Sequence, residues 1–580
     1  MPTIRCHPAL LMRFVLVLAA AVPGGPSAAV AGGTASLAPA GHDAVAAQGA
    51  GKAETGRLGA APTSVPAVYA WFEYSGRDAA FEQPVPPGHF RTPILAGFHA
   101  DPSVVAANGR YYLVNSTFTY FPGIPIFEST DLVHWTQIGS VIDRPATLDF
   151  DGLGVSRGIF APTISFHDGL FRVVTTAVDS GGNFISTARD PAGPWSEPLW
   201  LPDVGGIDPS LFFDDDGTVY LLNNDAPAGT PRYEGHRAIW IRALDLATGR
   251  QIGAPTVVVD GGVDPASNPI WIEGPHLYKV DGWYYLSAAE GGTGPQHSQV
   301  VLRSRAPRGP YVPSPQTPIL TQRDLPLDRP LPITNVGHAD LVQVPDGAWW
   351  AVFLASRNHA GVHYNSGRET YLLPVSWQDG WPMILPQGKT IPYVLPGPPE
   401  IDAGGDQTPL TGNFTWRDTF DDAAHAKAWL QVRMPRVAWH DRAEQRGTLT
   451  IRPLPAGLDT LGNPSFLARR VQHIHFDAHT ALQVPGEGTS AGIAAFQNER
   501  FWSFLGVRRD GDGLELFVEQ RTGDAPAAVV ARRRIALPED GITLTVSVDG
   551  ASGAYGYDGG AGQEWLLRDA DTTHLSTERA

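Results

Sequence analysis

Short runs in which apolar and polar residues alternate recur along most of the chain, and this two-residue period predicts β-strands rather than helices. Between about residues 90 and 385, one unit occurs five times. A polar or acidic residue opens a short apolar run, a turn that ends in glycine follows, and an aromatic or apolar run completes the unit. The five copies read HADPSVVAANGRYYLV, FAPTISFHDGLFRVV, IDPSLFFDDDGTVYLL, IEGPHLYKVDGWYYLS and GHADLVQVPDGAWWAVF.

Each unit is predicted to form a β-hairpin, because Asn-Gly and Asp-Gly between β-rich runs favour tight turns. The turn glycines are Gly109, Gly169, Gly217, Gly282 and Gly347. Segments between the copies, such as STDLVHWTQIG, are long enough to supply the two outer strands of a four-stranded blade. We therefore predict an all-β fold in which a five-bladed β-propeller occupies residues 89–400.

The pattern changes after the bridge LPGPP at 395–399. The runs GTLTIRPL, SAGIAAFQ, WSFLGVRR, LELFVEQR and ITLTVSVDG alternate as half-buried antiparallel strands do. We predict that residues 410–580 form a β-sandwich that serves as an accessory domain.

The start of the chain has the features of a secretory signal peptide. Arg5 and Arg13 supply positive charge, an apolar run follows at 14–22, and small residues stand at 29–31. We therefore predict a signal peptide over residues 1–31 and secretion to the extracellular or periplasmic space. Residues 32–88 are predicted to be a linker and an N-terminal extension.

The charge and composition of the chain disfavour some classes of binding partner. A net charge of −17 and a pI near 5.5 disfavour nucleic acid, because an acidic protein repels phosphate backbones. The apolar run near the start is too short to span a bilayer, so no membrane partner is expected. The one cysteine, Cys6, lies in the predicted signal peptide, which excludes disulfides and thiol chemistry from the mature protein.

Aligning the five units by their turns brings one residue of each unit to the start of its first strand. These residues are Asp101, Ala161, Asp208, Glu273 and His338. Because the innermost strand of every blade lines the central channel, we expect the five side chains to converge on one cavity. Three of the five are carboxylic acids.

Convergent carboxyl groups match the needs of glycoside hydrolysis. One protonated acid donates to the leaving oxygen, and one ionised carboxylate acts on water or on the anomeric carbon. A third carboxylate raises the pKa of the acid by charge repulsion. Two other interpretations stay open at this point: acids that bond the backbone at strand ends, and a calcium site.

The stretch from about 90 to 390 resembles glycoside hydrolase family 43, especially the β-xylosidases and α-L-arabinofuranosidases with a C-terminal, concanavalin-like β-sandwich. The motifs that carry the resemblance are ILAGFHADPS, STFTYFPG, GIFAPT, GIDPSLFFDDDG, IWIEGPHLYK, GHADLVQVPDGAWWAVF and GRETYLLPV. The resemblance implies an inverting enzyme. It implies Asp101 as general base, Glu273 as general acid and Asp208 as the residue that tunes and orients the acid.

Other positions are carried over from the same motifs. Arg368 in GRET matches an arginine that reaches the terminal sugar, and Phe118 and Phe160 match aromatic walls of the first sugar site. His338 matches a channel histidine that lies near a water-ligated calcium ion in some relatives. The resemblance requires no cofactor and allows a structural Ca²⁺ ion. Ala100 departs from the usual HPDPS motif without touching an ionisable group.

The end of the sequence departs further from the family pattern. The segment HLSTERA resembles the lead into a final glycine-rich strand, so the sandwich is expected to leave one edge open. The glycine-rich stretch 290–294 precedes neither a lysine nor a helix start, which argues against phosphate binding.

The leading hypothesis is a secreted exo-glycosidase that removes terminal β-D-xylosyl or α-L-arabinofuranosyl residues from hemicellulose-derived oligosaccharides, as in xylan degradation. One alternative is a propeller that binds carbohydrate without catalysis. Another is a retaining fructosidase or transferase on a related scaffold.

Overall fold

The computed structural model describes residues 15–21, 58–60, 62–399 and 409–579. Within these residues the fold is all-β, as predicted, with five short 3₁₀-helices at Ala79–Phe81, Pro265–Ser267, Ala423–Ala428, Thr573–Leu575 and Thr577–Arg579. Over the same residues, no helix combines the length and the apolarity that a bilayer crossing requires.

Three strands precede the repeats: β1 (Val15–Ala21), β2 (Ala67–Gly76) and β3 (His89–Arg91). Blade 1 follows with β4 (Ser103–Ala107), β5 (Arg110–Val114), β7 (Gly123–Ser129) and β8 (Thr136–Ile142), and the short β6 (Tyr120–Phe121) lies outside it. Blade 2 contains β9 (Gly158–His167), β10 (Leu170–Val178), β11 (Gly182–Ala188) and β12 (Leu199–Trp200). Blade 3 contains β13 (Ile207–Phe213), β14 (Val219–Asp225), β15 (Ala238–Asp245) and β16 (Arg250–Asp260).

Blade 4 contains β17 (Glu273–Val280), β18 (Trp283–Glu290), β19 (Ser298–Ser304) and β20 (Val312–Pro313), with β21 (Leu320–Thr321) also paired to β19. Blade 5 contains β22 (Ile333–Gln343), β23 (Trp349–Arg357), β24 (Glu369–Gln378) and β25 (Trp381–Met383). All five blades are antiparallel sheets of sequence-consecutive strands. The five predicted turn glycines all have positive φ, from 69° to 90°, as the tight hairpins require.

The ring closes without a strand shared between its first and last blades. Instead, β26 (Val394–Pro396) pairs with β3, and one buried side chain ties the two blades together. The Oδ2 atom of Asp340 accepts hydrogen bonds from the Ser103 hydroxyl at 2.7 Å and from the Val104 amide at 2.9 Å. Its Oδ1 atom accepts from the Tyr278 hydroxyl of blade 4 at 2.7 Å. Asp340 therefore joins three blades at the closing seam.

The sandwich contributes the remaining strands: β27 (Phe414–Asp418), β28 (Leu430–Val432), β29 (His440–Asp441), β30 (Leu449–Ile451), β31 (Ser465–Arg470), β32 (His475–Leu482), β33 (Ser490–Asn498), β34 (Phe501–Asp510), β35 (Gly513–Thr522), β36 (Ala528–Ala536), β37 (Ile542–Asp549), β38 (Ser552–Asp558) and β39 (Glu564–Asp571). One sheet runs β36-β35-β34-β33-β1-β31-β28-β6. The other runs β29-β30-β2-β32-β37-β38-β39, with β27 also paired to β2.

Two N-terminal strands belong to this sandwich. The segment 32–88, predicted as a linker and an N-terminal extension, contains β2, which pairs with β27, β30 and β32. Its alternating apolar residues fill the sandwich core, and Tyr69 and Phe72 are fully buried. The strand β1 lies between β31 and β33, where it occupies the centre of the first sheet. The rest of the predicted signal peptide lies outside the described residues.

The strand β33, near the centre of the first sheet, is buried on both faces, which explains its continuous apolar run. One face packs on the second sheet in the sandwich core. The other packs against propeller loops in a mixed cluster that includes Phe98, Phe118, Tyr120 and Phe160 from the propeller and Phe466, Phe496, Trp502 and Phe517 from the sandwich. The sandwich therefore lies directly behind the wall of the central channel.

Candidate active site

A cavity opens at the end of the propeller where the innermost strands begin. Its lining residues are Asp101, Phe160, Ile207, Asp208, Trp271, Glu273, Gly292, Thr293, His338 and Arg368. The structure thus brings together Asp101, Asp208 and Glu273, which are far apart in the sequence, with side chains from all five blades.

The strand register sorts the residues at the start of the inner strands into two rings, each of which supplies three of the lining residues. In each inner hairpin, regular pairing with the second strand starts at one residue of the first strand. In blade order, these residues are Ser103, Thr163, Ser210, His276 and Asp340. The residues two positions earlier form what we call the second ring: Asp101, Ala161, Asp208, Gly274 and His338. The residues three positions earlier form the first ring: Ala100, Phe160, Ile207, Glu273 and Gly337. The predicted equivalence of Glu273 with Asp101 is therefore wrong by one position.

A left-handed backbone conformation explains how both rings face the cavity. All five second-ring residues have positive φ, between 31° and 56°, beside register shifts in the strand pairing of four of the blades. This conformation interrupts the alternation of the strand, so that two consecutive residues reach the same side. In blade 4 the position is glycine, and a Cβ atom on Gly274 would lie 2.8 Å from the His338 ring. Glu273 consequently approaches the cavity from a different position than the two aspartates do.

Asp101 is held by two charge-assisted contacts. Its Oδ1 atom accepts a hydrogen bond from Arg368 at 2.8 Å, and the ion pair is buried, with about 6% of each side chain exposed. Its Oδ2 atom accepts from the Ser116 hydroxyl at 2.5 Å. The same hydroxyl oxygen accepts from the Ala161 amide at 2.7 Å, which joins blades 1 and 2. These contacts stabilise an ionised, oriented carboxylate.

The other two carboxyl groups bind protons more tightly than isolated acids do. Burial, reinforced by the charge of Asp101, raises the pKa of Asp208 to about 7. Burial, reinforced by Asp208 and then Asp101, raises the pKa of Glu273 well above its usual value. Arg368 and Arg237 oppose both shifts. The cavity therefore combines a paired carboxylate with an acid that keeps its proton near neutral pH.

His338 lines the cavity, and burial lowers its pKa to about 4, so it is neutral at pH 7. Nearby, the Nε2 atom of His297 and the side-chain amide of Asn335 are buried without a protein hydrogen-bond partner. Neutral imidazole nitrogens are poor ligands for calcium, which prefers oxygen. Among the described residues, no group of three or more His, Cys, Asp or Glu is arranged to hold a metal. The channel thus suits water better than directly bound Ca²⁺.

The two predicted aromatic walls differ in position. Phe160 lines the cavity as a first-ring residue. Phe118 is fully buried behind it, with ring centroids 5.0 Å apart, and is absent from the lining. Backbone hydrogen bonds in both directions between Phe118 and Ile159 hold it there. Phe118 therefore supports Phe160 in this structure, and its contact with sugar stays a prediction.

Sequence reasoning missed several residues of the site. Ser116 acts on Asp101 within blade 1, and Arg237 of blade 3 acts on Asp208 and on Glu273 of blade 4; no local motif marks either residue. Trp271 stands next to the recognised Glu273 motif and could have been found from that position. Gly292 and Thr293 belong to the glycine-rich stretch set aside for phosphate binding, and they line the mouth of the cavity.

Comparison with known proteins agrees with this geometry. The model for glycosyl hydrolases family 43 matches residues 90–382, and the model for the β-xylosidase C-terminal concanavalin A-like domain matches residues 417–580. A xylosidase/arabinosidase of Butyrivibrio fibrisolvens is 40% identical over 433 residues, which cover 73% of this chain and 81% of that protein. The non-reducing end α-L-arabinofuranosidase BoGH43B of Bacteroides ovatus is 36% identical and covers 76% of this chain and 78% of its own length.

Solved structures extend the likeness to the whole architecture. A GH43_12 protein from a capybara gut metagenome has a TM-score of 0.83 at 37% identity and covers 89% of this chain and 97% of its own. Xylan β-1,4-xylosidase of Bacillus halodurans has a TM-score of 0.74 at 31% identity and covers 84% of this chain and 93% of its own. The two domains, the axial carboxyl groups and these matches lead to one conclusion: the chain belongs to glycoside hydrolase family 43.

Proposed function

We propose that this glycoside hydrolase removes terminal β-D-xylosyl or α-L-arabinofuranosyl residues from hemicellulose-derived oligosaccharides with inversion. The observation that carries the proposal is the meeting of three buried carboxyl groups in one axial cavity, with Arg368 bound to one of them. The xylosidase and arabinofuranosidase names of its relatives support the substrate class.

The three acids take different roles in this proposal. Asp101, oriented by Arg368 and Ser116, deprotonates the water that attacks the anomeric carbon. Glu273, whose pKa is raised by burial and neighbouring charge, donates its proton to the leaving oxygen from the opposite side of the sugar. Asp208 keeps Glu273 protonated through charge repulsion, and it accepts a hydrogen bond from the Gly274 amide next to the acid at 3.1 Å.

The shape behind the cavity supports action at chain ends. Phe160 forms the wall, Phe118 packs behind it, and the sandwich sheet closes the space beyond. This packing closes the cavity behind Phe160, which supports binding of a terminal sugar there. The planar ring suits the C–H face of a sugar.

A direct assay tests the reaction and its stereochemistry. Purified protein is incubated with xylobiose, 1,5-α-L-arabinobiose and the matching nitrophenyl glycosides, and proton NMR follows the first-formed anomer. We expect release of single sugars whose anomeric configuration is opposite to that of the substrate. Retention of configuration would favour the fructosidase or transferase alternative. Binding measured by calorimetry without any released sugar would favour the non-catalytic alternative.

Substitution of the acid tests its role. Glu273→Ala and Glu273→Gln should each lower kcat/KM on xylobiose by about 10²–10⁴-fold, because the alkoxide leaving group needs the proton. The loss on nitrophenyl glycosides should be smaller, since nitrophenolate leaves without protonation. Glu234→Gln, an exposed glutamate on a loop of blade 3, serves as the matched control and should be unchanged. Full activity of Glu273→Gln on xylobiose would refute the assignment.

Export is part of the same proposal, because the charged start and the apolar run at 14–22 have the form of a signal peptide. Cleavage near residue 31 would remove β1 from the sandwich sheet, so export with processing and retention of β1 exclude each other. Cell fractionation followed by N-terminal sequencing of the exported protein decides between them. A start near residue 32 supports the signal peptide, and an intact first residue in the cytoplasm overturns it.

A further inference from the structure

The cavity is lined by an aromatic side chain that the catalytic proposal does not use. Trp271 lines the cavity two residues before Glu273, in the loop that leads into β17. Its backbone is left-handed, with φ of 52°, a conformation that bulky residues rarely adopt. The Trp271 amide donates to the Gly235 carbonyl at 2.9 Å, which anchors this loop to the neighbouring loop of blade 3.

A chain of contacts holds the indole in place. The Arg237 guanidinium lies over the ring, 5.0 Å from its centroid. Arg237 Nε donates to the Asn224 side-chain oxygen at 2.9 Å, and the Asn224 amide donates to the Ile272 carbonyl at 2.6 Å. Because Ile272 directly follows Trp271, these contacts form a closed chain. They fix the orientation of the indole ring before a ligand binds.

The position of the Trp271 ring near Glu273 indicates which part of the substrate the ring contacts. The group that Glu273 protonates is the leaving oxygen, and the rest of the leaving group lies beyond that oxygen, toward the mouth. Trp271 precedes Glu273 by two residues in the loop that leads into β17, and both side chains line the same cavity. Gly292 and Thr293, from the loop after β18, line this cavity as well.

We propose that Trp271, oriented by Arg237, is the platform of a leaving-group site that binds the sugar ring next to the scissile bond, a pyranose or furanose of the oligosaccharide. This inference rests on the proposed function. A held aromatic ring offers its face to the C–H bonds of a sugar, and an oriented ring costs little entropy on binding. The site would favour oligosaccharides over glycosides whose leaving group is too small to reach the ring.

Glycosyl fluorides separate this site from the catalytic centre, because fluoride occupies no leaving-group site. We compare xylobiose with β-D-xylosyl fluoride, and 1,5-α-L-arabinobiose with α-L-arabinofuranosyl fluoride. Trp271→Ala should lower kcat/KM on the preferred disaccharide by roughly tenfold or more, the usual effect of losing one apolar contact. It should leave hydrolysis of the matching fluoride within about twofold. Trp271→Phe, which keeps a flat ring, should retain most activity on both.

A matched control is Trp200→Ala, which removes an exposed tryptophan from the outer strand of blade 2. It should change neither substrate. An equal loss on disaccharide and fluoride in Trp271→Ala would overturn the inference and place the residue in structural support. Unchanged disaccharide activity would overturn it as well. Wild-type protein that cleaves neither substrate would instead refute the proposed function, and the inference with it.

Discussion

Asp208 and Asp101 occupy equivalent positions in their blades, yet Asp208 binds its proton more tightly than an isolated acid does because its surroundings differ. Asp101 is paired with Arg368 and Ser116, whereas the Asp208 carboxylate accepts a hydrogen bond from the Gly274 backbone amide. The pKa of Asp208 therefore rises to about 7, chiefly through burial. Two carboxyl groups at equivalent backbone positions can therefore have different proton affinities, and the groups around each carboxyl determine that affinity.

Removing the charge of Asp208 should shift the pH profile. The proposed acid Glu273 works only when protonated, so activity falls as pH rises through its pKa. Asp208→Asn removes the largest charge effect that raises this pKa, and the basic limb of kcat/KM should move to lower pH. Arg237→Met removes a cation that lowers the pKa, and its basic limb should move to higher pH. Shifts in the same direction for both variants would contradict this electrostatic account.

The burial of Asp208 should also lower the thermal stability of the protein at high pH. Because the folded-state pKa of Asp208 is raised, its contribution favours folding below about pH 4 and is lost as pH rises through about 7. Asp208→Asn should therefore raise Tm by a few degrees at pH 8 and change it little at pH 4. Thermal unfolding followed by circular dichroism at both pH values measures this, and a lower Tm at pH 8 would contradict the expected cost.

Sequence alone identified the three acids, Arg368 and Phe160, because repeats and motifs mark them. It did not identify Ser116, Arg237 or the support role of Phe118. These residues act through side-chain contacts within and between blades, and nothing in a local pattern records such contacts.

Each inner strand begins with a left-handed residue and then enters a regular hairpin. The repeat pattern predicted the five hairpins and their turns correctly. It placed Glu273 one position out of register, because the units were aligned by their turn glycines and the hairpins differ in length by one residue. Gly217 follows Asp208 by nine positions, whereas Gly282 follows Gly274, the residue that matches Asp208, by eight. Register depends on the strand pairing, which hydrophobic alternation determines only to within the irregular start of a strand.

The seam between blades 1 and 5 depends on Asp340. Asp340→Ala leaves the Val104 amide and the Tyr278 hydroxyl without this acceptor in a buried site, at a cost of about 1–3 kcal/mol for each unsatisfied group. We expect Tm to fall by several degrees. Asp346→Ala, at an exposed hairpin turn of the same blade, is the matched control and should lower Tm much less. Equal effects would show that the seam contributes little.

At the scale of the whole molecule, the propeller and the sandwich share a buried ion network. Arg357 of β23 bonds both oxygens of Glu369, the Asp78 carboxylate and the Gln472 carbonyl. Asp78, in turn, accepts from the Ile474 and His475 amides. The sequence predicted two domains in the right order, but it did not show that the segment before the propeller completes the second domain.

Breaking this network should destabilise the protein in a pH-dependent way. Burial alone would raise the pKa of Asp78, but Arg357 and the hydrogen bonds from His475 and Ile474 outweigh it and hold the pKa below its usual value. This stabilisation is present above about pH 4 and is lost as pH falls. Arg357→Met should therefore lower Tm strongly at pH 7 and less at pH 3.

The control for this variant is Arg110→Met, which breaks an exposed ion pair with Glu128 and should cost at most about 1 kcal/mol. Unfolding curves at the two pH values provide the comparison. An equal loss of Tm from Arg357→Met at pH 3 and pH 7 would show that charge pairing is not the main contribution of Arg357.

The ion pair of Asp101 with Arg368 joins the first blade to the last. A ring that loosens at this junction separates the proposed base from its arginine while every sheet stays intact. Warming should therefore abolish enzyme activity several degrees below the temperature at which the β-structure unfolds. Cooling from that point should restore activity without refolding.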